Sequence, residues 1–214
     1  MSATAQLFLE NEILLASDGA EWDFITGKET NLNTNKNHKI NESISIVWIG
    51  SMYFLMHIIK KRTKDLRTVK EVAVVTGNIL KEFVPKFLEH FPEKNPDYLY
   101  AITVLGYDYT GERKLYQLAL LEDDKDNAYN PREIEVITNT CRAVAYDLNC
   151  YDTFTKILQE EINNTPKALE DAFKRAFIRL VDYFKEQGKQ VGGELFFERV
   201  FHPKVQKILS APRA

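Results

Sequence analysis

The order of apolar segments predicts an α+β fold of two stacked sheets between two helical layers, an αββα sandwich. Two observations carry this. Runs such as Ile44 to Ile49 are apolar on both faces, which suits strands covered on both sides. Helical segments come in pairs between groups of strands, so that each pair can cover one sheet. The 214 residues show no linker, no low-complexity tract and no repeat, so one domain over 1–214 is expected, with 201–214 a polar tail.

The first element is a hairpin. Ala5, Leu7 and Leu9 alternate with Thr4, Gln6 and Phe8, Asn11-Glu12 turns the chain, and Ile13 to Ala16 returns. A hairpin that starts at Ser2 draws the chain end into the protein body, where ends are uncommon. Residues 21–38, rich in Asn, Thr and Lys, read as a loop with extended edges. Ile44 to Ile49 is a central strand. Ser51 to Arg62 reads as a helix apolar nearly all round, with basic residues suiting its last turn and His57 as a core histidine. Val69 to Phe91 is a second helix with a stripe at Val72, Val75, Ile79, Phe83 and Phe87, kinked or divided by Pro85. Tyr98 to Leu105 and Lys114 to Leu121 form a hairpin turning at Gly111. Glu133 to Thr138 reads as a short strand, Cys141 to Asn149 as helix, and Thr153 to Ile162 as its continuation. Thr165-Pro166 opens a helix with one apolar stripe from Leu169 to Phe184, which Gly188 ends. Leu195 to Phe201 is the last strand.

Composition narrows the function. Hydrophobic residues make up 44% and charged residues 28%, an ordinary balance for a soluble globular protein. The net charge is -3 and the longest basic run is Lys60-Lys61-Arg62, which argues against a nucleic-acid partner. Cys141 and Cys150 fit a reduced, cytoplasmic compartment, and with four histidines they match no metal-ligand spacing, so no cofactor and no metal are expected. No secretory signal is read at the N-terminus, and the 16 residues from Ile44 to Ile59 are too short for a membrane span.

Taken together, ILLASDG after a first strand, KINESISIVWIGS before an apolar helix, YAITVLGYDYTGERKLYQLALLE, and VGGELFFERVF after a long helix resemble the N-terminal nucleophile hydrolases. The resemblance covers about residues 2 to 201 and is closest to the proteasome β-subunit and HslV-like branch. It implies a peptidase or amidohydrolase whose nucleophile is the residue freed at the N-terminus. Counted back from Asp18, that residue is Ser2 once Met1 is removed. The family lysine falls on Lys39, with Lys36 as the alternative. The oxyanion-hole glycine falls on Gly50 and a supporting hydroxyl on Thr140. The resemblance also implies a peptide or protein substrate and a homo-oligomer, ring or stacked. Serine stands where threonine is common, and Gly188 and Val191 stand where many active β-subunits carry aspartate and serine.

The chemistry fits those residue types. A serine hydroxyl needs a base, and an α-amine titrates near 8, close to ambient pH. A lysine beside it lowers the amine's pKa and stabilises negative charge, a carboxylate holds the lysine charged, and a backbone donor faces the oxyanion. Plainer rivals stand beside these assignments: Asp18-Gly19 as a turn, Lys39 as a solvated loop lysine, and Ser2 as an ordinary residue behind a retained methionine. Those rivals correspond to an alternative function, a catalytically inactive ring or scaffold subunit.

Overall fold

The structure, a computed structural model, describes residues 2–22, 28–31, 33–50, 54–91, 100–120, 126–145, 149–164 and 169–209. Its first strands are β1 (Ala3–Phe8), β2 (Glu12–Asp18), β3 (Glu21–Trp22), β4 (Glu29–Asn31), β5 (Asn37–Asn41) and β6 (Ile44–Gly50), followed by helices α1 (Leu55–Thr63) and α2 (Val69–His90). Strands β7 (Tyr100–Tyr107), β8 (Arg113–Ala119), β9 (Arg132–Glu133) and β10 (Thr140–Ala145) come next, then α3 (Cys150–Asn164), α4 (Leu169–Glu186), β11 (Leu195–Phe201) and α5 (Pro203–Leu209). The chain divides into two compact units, Met1–Asn37 with Ile137–Arg199 and His38–Val136 with Val200–Ala214.

The first unit is built on a four-stranded sheet in the order β10-β1-β2-β11. β1 runs antiparallel to both β2 and β10, with Thr4 opposite Ser17 and Ala3 opposite Ala145. Ala3, Ala5, Leu7, Leu14 and Ala16 point to one face and share a core with Phe154 and Leu158 of α3 and Phe173, Phe177, Leu180 and Phe184 of α4. Small residues on the strands let these aromatic side chains approach closely, and Phe154 meets Phe173 edge-on at 5.9 Å. The alternate residues Thr4, Gln6, Phe8, Ile13, Leu15 and Ser17 are buried as well. Buried Glu161 of α3 accepts from Arg175 Nε and Arg179 Nη1 of α4, each at 2.8 Å, and ties the two helices together. Gly188, at φ 71, ends α4, with the Lys189 N–H donating to the Phe184 carbonyl.

The second unit carries a five-stranded sheet in the order β5-β6-β7-β8-β9. β6, β7 and β8 form an antiparallel meander, and α2 packs on β7 and β8. The N-terminus of α2 has a capping box between Thr68 and Glu71, and Asp108 Oδ1 accepts from the Val69 N–H at 2.7 Å.

The structure departs from the sequence reading in several elements. Residues 141–145 form the strand β10 and not a helix, because they pair along the whole of β1. α1 buries only one face, with Leu55, Met56, Ile59 and Thr63 inside, and His57 is exposed. Pro85 leaves α2 undivided: it lies on the exposed face, where water can satisfy the carbonyl it frees. The 21–38 loop holds the short β3–β4 hairpin and the start of β5. The 133–138 strand shrinks to β9, and the tail includes α5. Thr165-Pro166, Ser51 and Tyr98 lie outside the described residues.

Candidate active site

The end of β2 meets the start of β1 in the first unit. Thr4 pairs with Ser17, so one residue further on Asp18 arrives opposite Ala3. Asp18 is fully buried, and its Oδ1 accepts from the Ala3 N–H at 2.8 Å. The same oxygen accepts from Lys36 Nζ at 2.6 Å. Asp18 Oδ2 accepts from the Gly192 N–H at 3.1 Å. One carboxylate thus gathers the first peptide of β1, a buried lysine and the loop between α4 and β11.

Lys36 is held by more than its ion pair. Nζ also donates to the Ala20 carbonyl at 2.8 Å, and the Lys36 N–H donates to Ser17 Oγ at 3.4 Å. An ammonium has three N–H bonds, and these two acceptors leave one uncommitted among the described residues. Burial pulls the Lys36 pKa below the usual lysine value, and Asp18 works against that loss. Oδ1 links the Ala3 nitrogen and the ammonium directly, so the lysine lies within two hydrogen bonds of the peptide that follows Ser2. Ser2 itself is buried.

The loop carrying Gly192 is clasped to β2. The Gly192 carbonyl accepts from the N–H groups of Gly19 and Ala20, at 2.9 and 2.8 Å. The Thr34 N–H donates to the Gly19 carbonyl, and Thr34 Oγ1 donates to Glu21 at 2.7 Å, which closes the base of the β3–β4 hairpin.

Of the residues the sequence nominates, Ser2 and Asp18 come together. The lysine at Asp18 is Lys36, whereas Lys39 is partly exposed and pairs with Glu42 at 3.3 Å. Spacing alone could not separate the two, because the loop before them is long. Thr140 does not reach the same place. It sits opposite Phe8, so the whole length of β1 separates it from Ala3, about 17 Å at the rise of an extended strand. Its hydroxyl donates to the Ile137 carbonyl at 2.6 Å and closes a turn. The β10 residue in register with Ala3 is Ala145. Gly50 ends β6 with φ 117, a conformation suited to glycine. Met1 lies outside the described residues. Gly192, which the sequence offers only as part of a Gly-Gly turn, is the partner that sequence reasoning missed.

Elsewhere in the first unit, burial raises the Cys141 thiol's pKa, which disfavours the nucleophilic thiolate. Among the described residues no cluster of His, Cys, Asp or Glu could hold a metal, and no helix is long and apolar enough to cross a membrane.

No protein-family model matches the chain, and no curated protein matches its sequence. Among solved structures, eukaryotic HslV from Trypanosoma brucei is similar over 94% of this chain and 99% of that chain, with a TM-score of 0.59 and 13% sequence identity. Likeness at that identity shows a shared fold, so the chain has the fold of HslV.

Proposed function

We propose that the protein is an N-terminal nucleophile hydrolase acting on a peptide or amide bond, with Ser2 as the nucleophile once Met1 is removed. The observation that carries this is the buried Asp18–Lys36 pair, hydrogen-bonded to the N–H of the residue after Ser2. A charged pair taken out of water costs free energy unless its geometry is good, and a chain end gives no structural reason to place one there. The shared fold with HslV supports the reading.

In the proposed reaction the freed Ser2 amine takes the hydroxyl proton as Oγ attacks the carbonyl carbon. The Lys36 ammonium keeps that amine neutral at working pH and steadies the negative charge on Oγ. The collapsing tetrahedral adduct breaks the C–N bond, and the amine returns the proton to the leaving nitrogen. Water then hydrolyses the Ser2 ester by the reverse proton path. Lys36 takes the role that spacing had offered to Lys39, and Thr140 has none.

Intact mass tests the premise directly. Protein made alongside a methionine aminopeptidase is expected to begin at Ser2, and retention of Met1 would exclude the mechanism. On processed protein, a β-lactone should add once, at Ser2, and Ser2→Ala should abolish both that adduct and turnover of a fluorogenic peptide. Equal rates for the two proteins would remove Ser2 as nucleophile. The resemblance also leads us to propose assembly into a homo-oligomer; light scattering that gives a monomer mass would overturn that part alone.

A further inference from the structure

We infer that Glu21 is a specificity-determining residue of the proposed site and selects substrates that carry a cationic group, an ammonium or guanidinium, close to the scissile bond; this rests on the reading of Ser2 and Lys36 given above.

Glu21 follows directly on a peptide that the site lysine grips. Lys36 Nζ donates to Asp18 Oδ1, which also accepts from the Ala3 N–H, and to the Ala20 carbonyl. One ammonium thus joins the start of β1 to the peptide between Ala20 and Glu21, the first residue of β3. The Glu21 carboxylate lies near enough for its charge to act on that ammonium. Asp18 is fully buried, whereas Glu21 is half-buried, so Glu21 is the carboxylate that a ligand arriving from water can reach.

The charges here do not cancel. Asp18 is neutralised by Lys36 at 2.6 Å. The Glu21 carboxylate accepts from a neutral hydroxyl, Thr34 Oγ1, at 2.7 Å, and no ion pair engages it among the described residues. Asp18, Lys36 and Glu21 together therefore leave one negative charge in excess beside Ser2. Where water is partly excluded, such a charge draws in a cation and turns away an anion. The hydrogen bond from Thr34 closes the base of the β3–β4 hairpin, but that duty asks only for an acceptor oxygen. Glutamine would supply one without the charge, so a structural role and a selective one come apart on substitution.

The test uses protein processed to Ser2 and three β-lactones that share one scaffold. Each carries a side chain of lysine length ending in ammonium, methyl or carboxylate, and acylation of Ser2 is timed by intact mass. The parent protein is expected to react about tenfold faster with the ammonium lactone than with the methyl one, and slowest with the carboxylate. Added salt should shrink that preference. Glu21→Gln keeps an acceptor for Thr34 and should bring the ammonium-to-methyl ratio close to one, while Glu21→Lys should put the carboxylate lactone first. Glu10→Gln makes the same change in net charge at the turn between β1 and β2 and should leave the ratio within about twofold, which separates a local charge from the general field. A lactone with its ammonium on the α-nitrogen tells a substrate's free amino end from a basic side chain, according to which form reacts faster. Equal rates for the three lactones in the parent, or a ratio that folded Glu21→Gln leaves unchanged, overturns the inference and leaves Ser2 as the nucleophile. Absence of an adduct with every lactone overturns the proposed reaction, and the role of Glu21 with it.

Discussion

Lys36 and Lys39 differ by three positions and by everything that matters to a charge. One is buried on a carboxylate and a carbonyl, and the other pairs with an exposed glutamate in water. An exposed pair is worth little, whereas removing one member of a buried pair strands the other. Lys36→Met is therefore expected to slow Ser2 acylation by about 100-fold or more, and Lys39→Ala to leave it within about twofold. The reverse order would return the site to Lys39. The same substitution has a pH signature. Folding lowers the Lys36 pKa from 10.5, so between the folded value and 10.5 the unfolded chain binds the proton more tightly. Stability contributed by Lys36 thus rises with pH across that window. The unfolding free energy of the parent minus that of Lys36→Met should climb toward pH 10, read by urea titration at each pH; a flat difference would place Lys36 in water. At this scale the sequence showed the residue types and the Ser2-to-Asp18 distance, but not the lysine. Loop length decides which lysine reaches Asp18, and a hairpin inside residues 21–38 leaves no mark in hydrophobic period.

At the scale of elements, what was legible followed from local pattern, and what was hidden depended on partners. The stripe of α4 is written in period 3.6, and the strands β6 to β8 in short apolar runs bounded by turn residues. β10 reads TCRAVA, a sequence compatible with a helix, and becomes a strand because β1 offers it a full edge. α2 shows the same dependence at Gly77. Alanine there gains about 1 kcal/mol of helix propensity. A Cβ, however, would overlap the Tyr129 carbonyl oxygen and lie 3.2 Å from Leu118 Cδ2. That carbonyl cannot swing aside cheaply, because the preceding residue, Ala128, accepts the buried Tyr100 hydroxyl at 2.6 Å. Overpacking of this kind costs about 1–3 kcal/mol, so Gly77→Ala should destabilise on balance, seen as a lower urea midpoint with an unchanged slope. A higher midpoint would mean the 126–129 turn yields easily.

Across the molecule, the site is assembled from points far apart in the chain: Ser2 and Ala3, Asp18, Lys36 and Gly192, all within the first unit. None of these contacts forms from local sequence, so the site exists only when the β10-β1-β2-β11 sheet is closed. A strand with nothing on its edges frays, and β1 has a partner on each side. Here the Ala3 N–H is spent on a buried carboxylate, and Ala3 also lies in register with Ala145. If the sheet serves to hold the terminus, the Ala3 and Gly192 amides belong to the global cooperative unit and not to a loose end. Native-state hydrogen exchange should give both amides the same opening free energy as those at the centre of β1, and denaturant should lower all three together. Asp18→Asn should release Ala3 and Gly192 selectively and leave the centre of β1 protected. Exchange of Ala3 at the rate of an unstructured peptide in the parent protein would show that the end opens on its own. A nucleophile placed there would then lack the fixed geometry that acyl transfer requires.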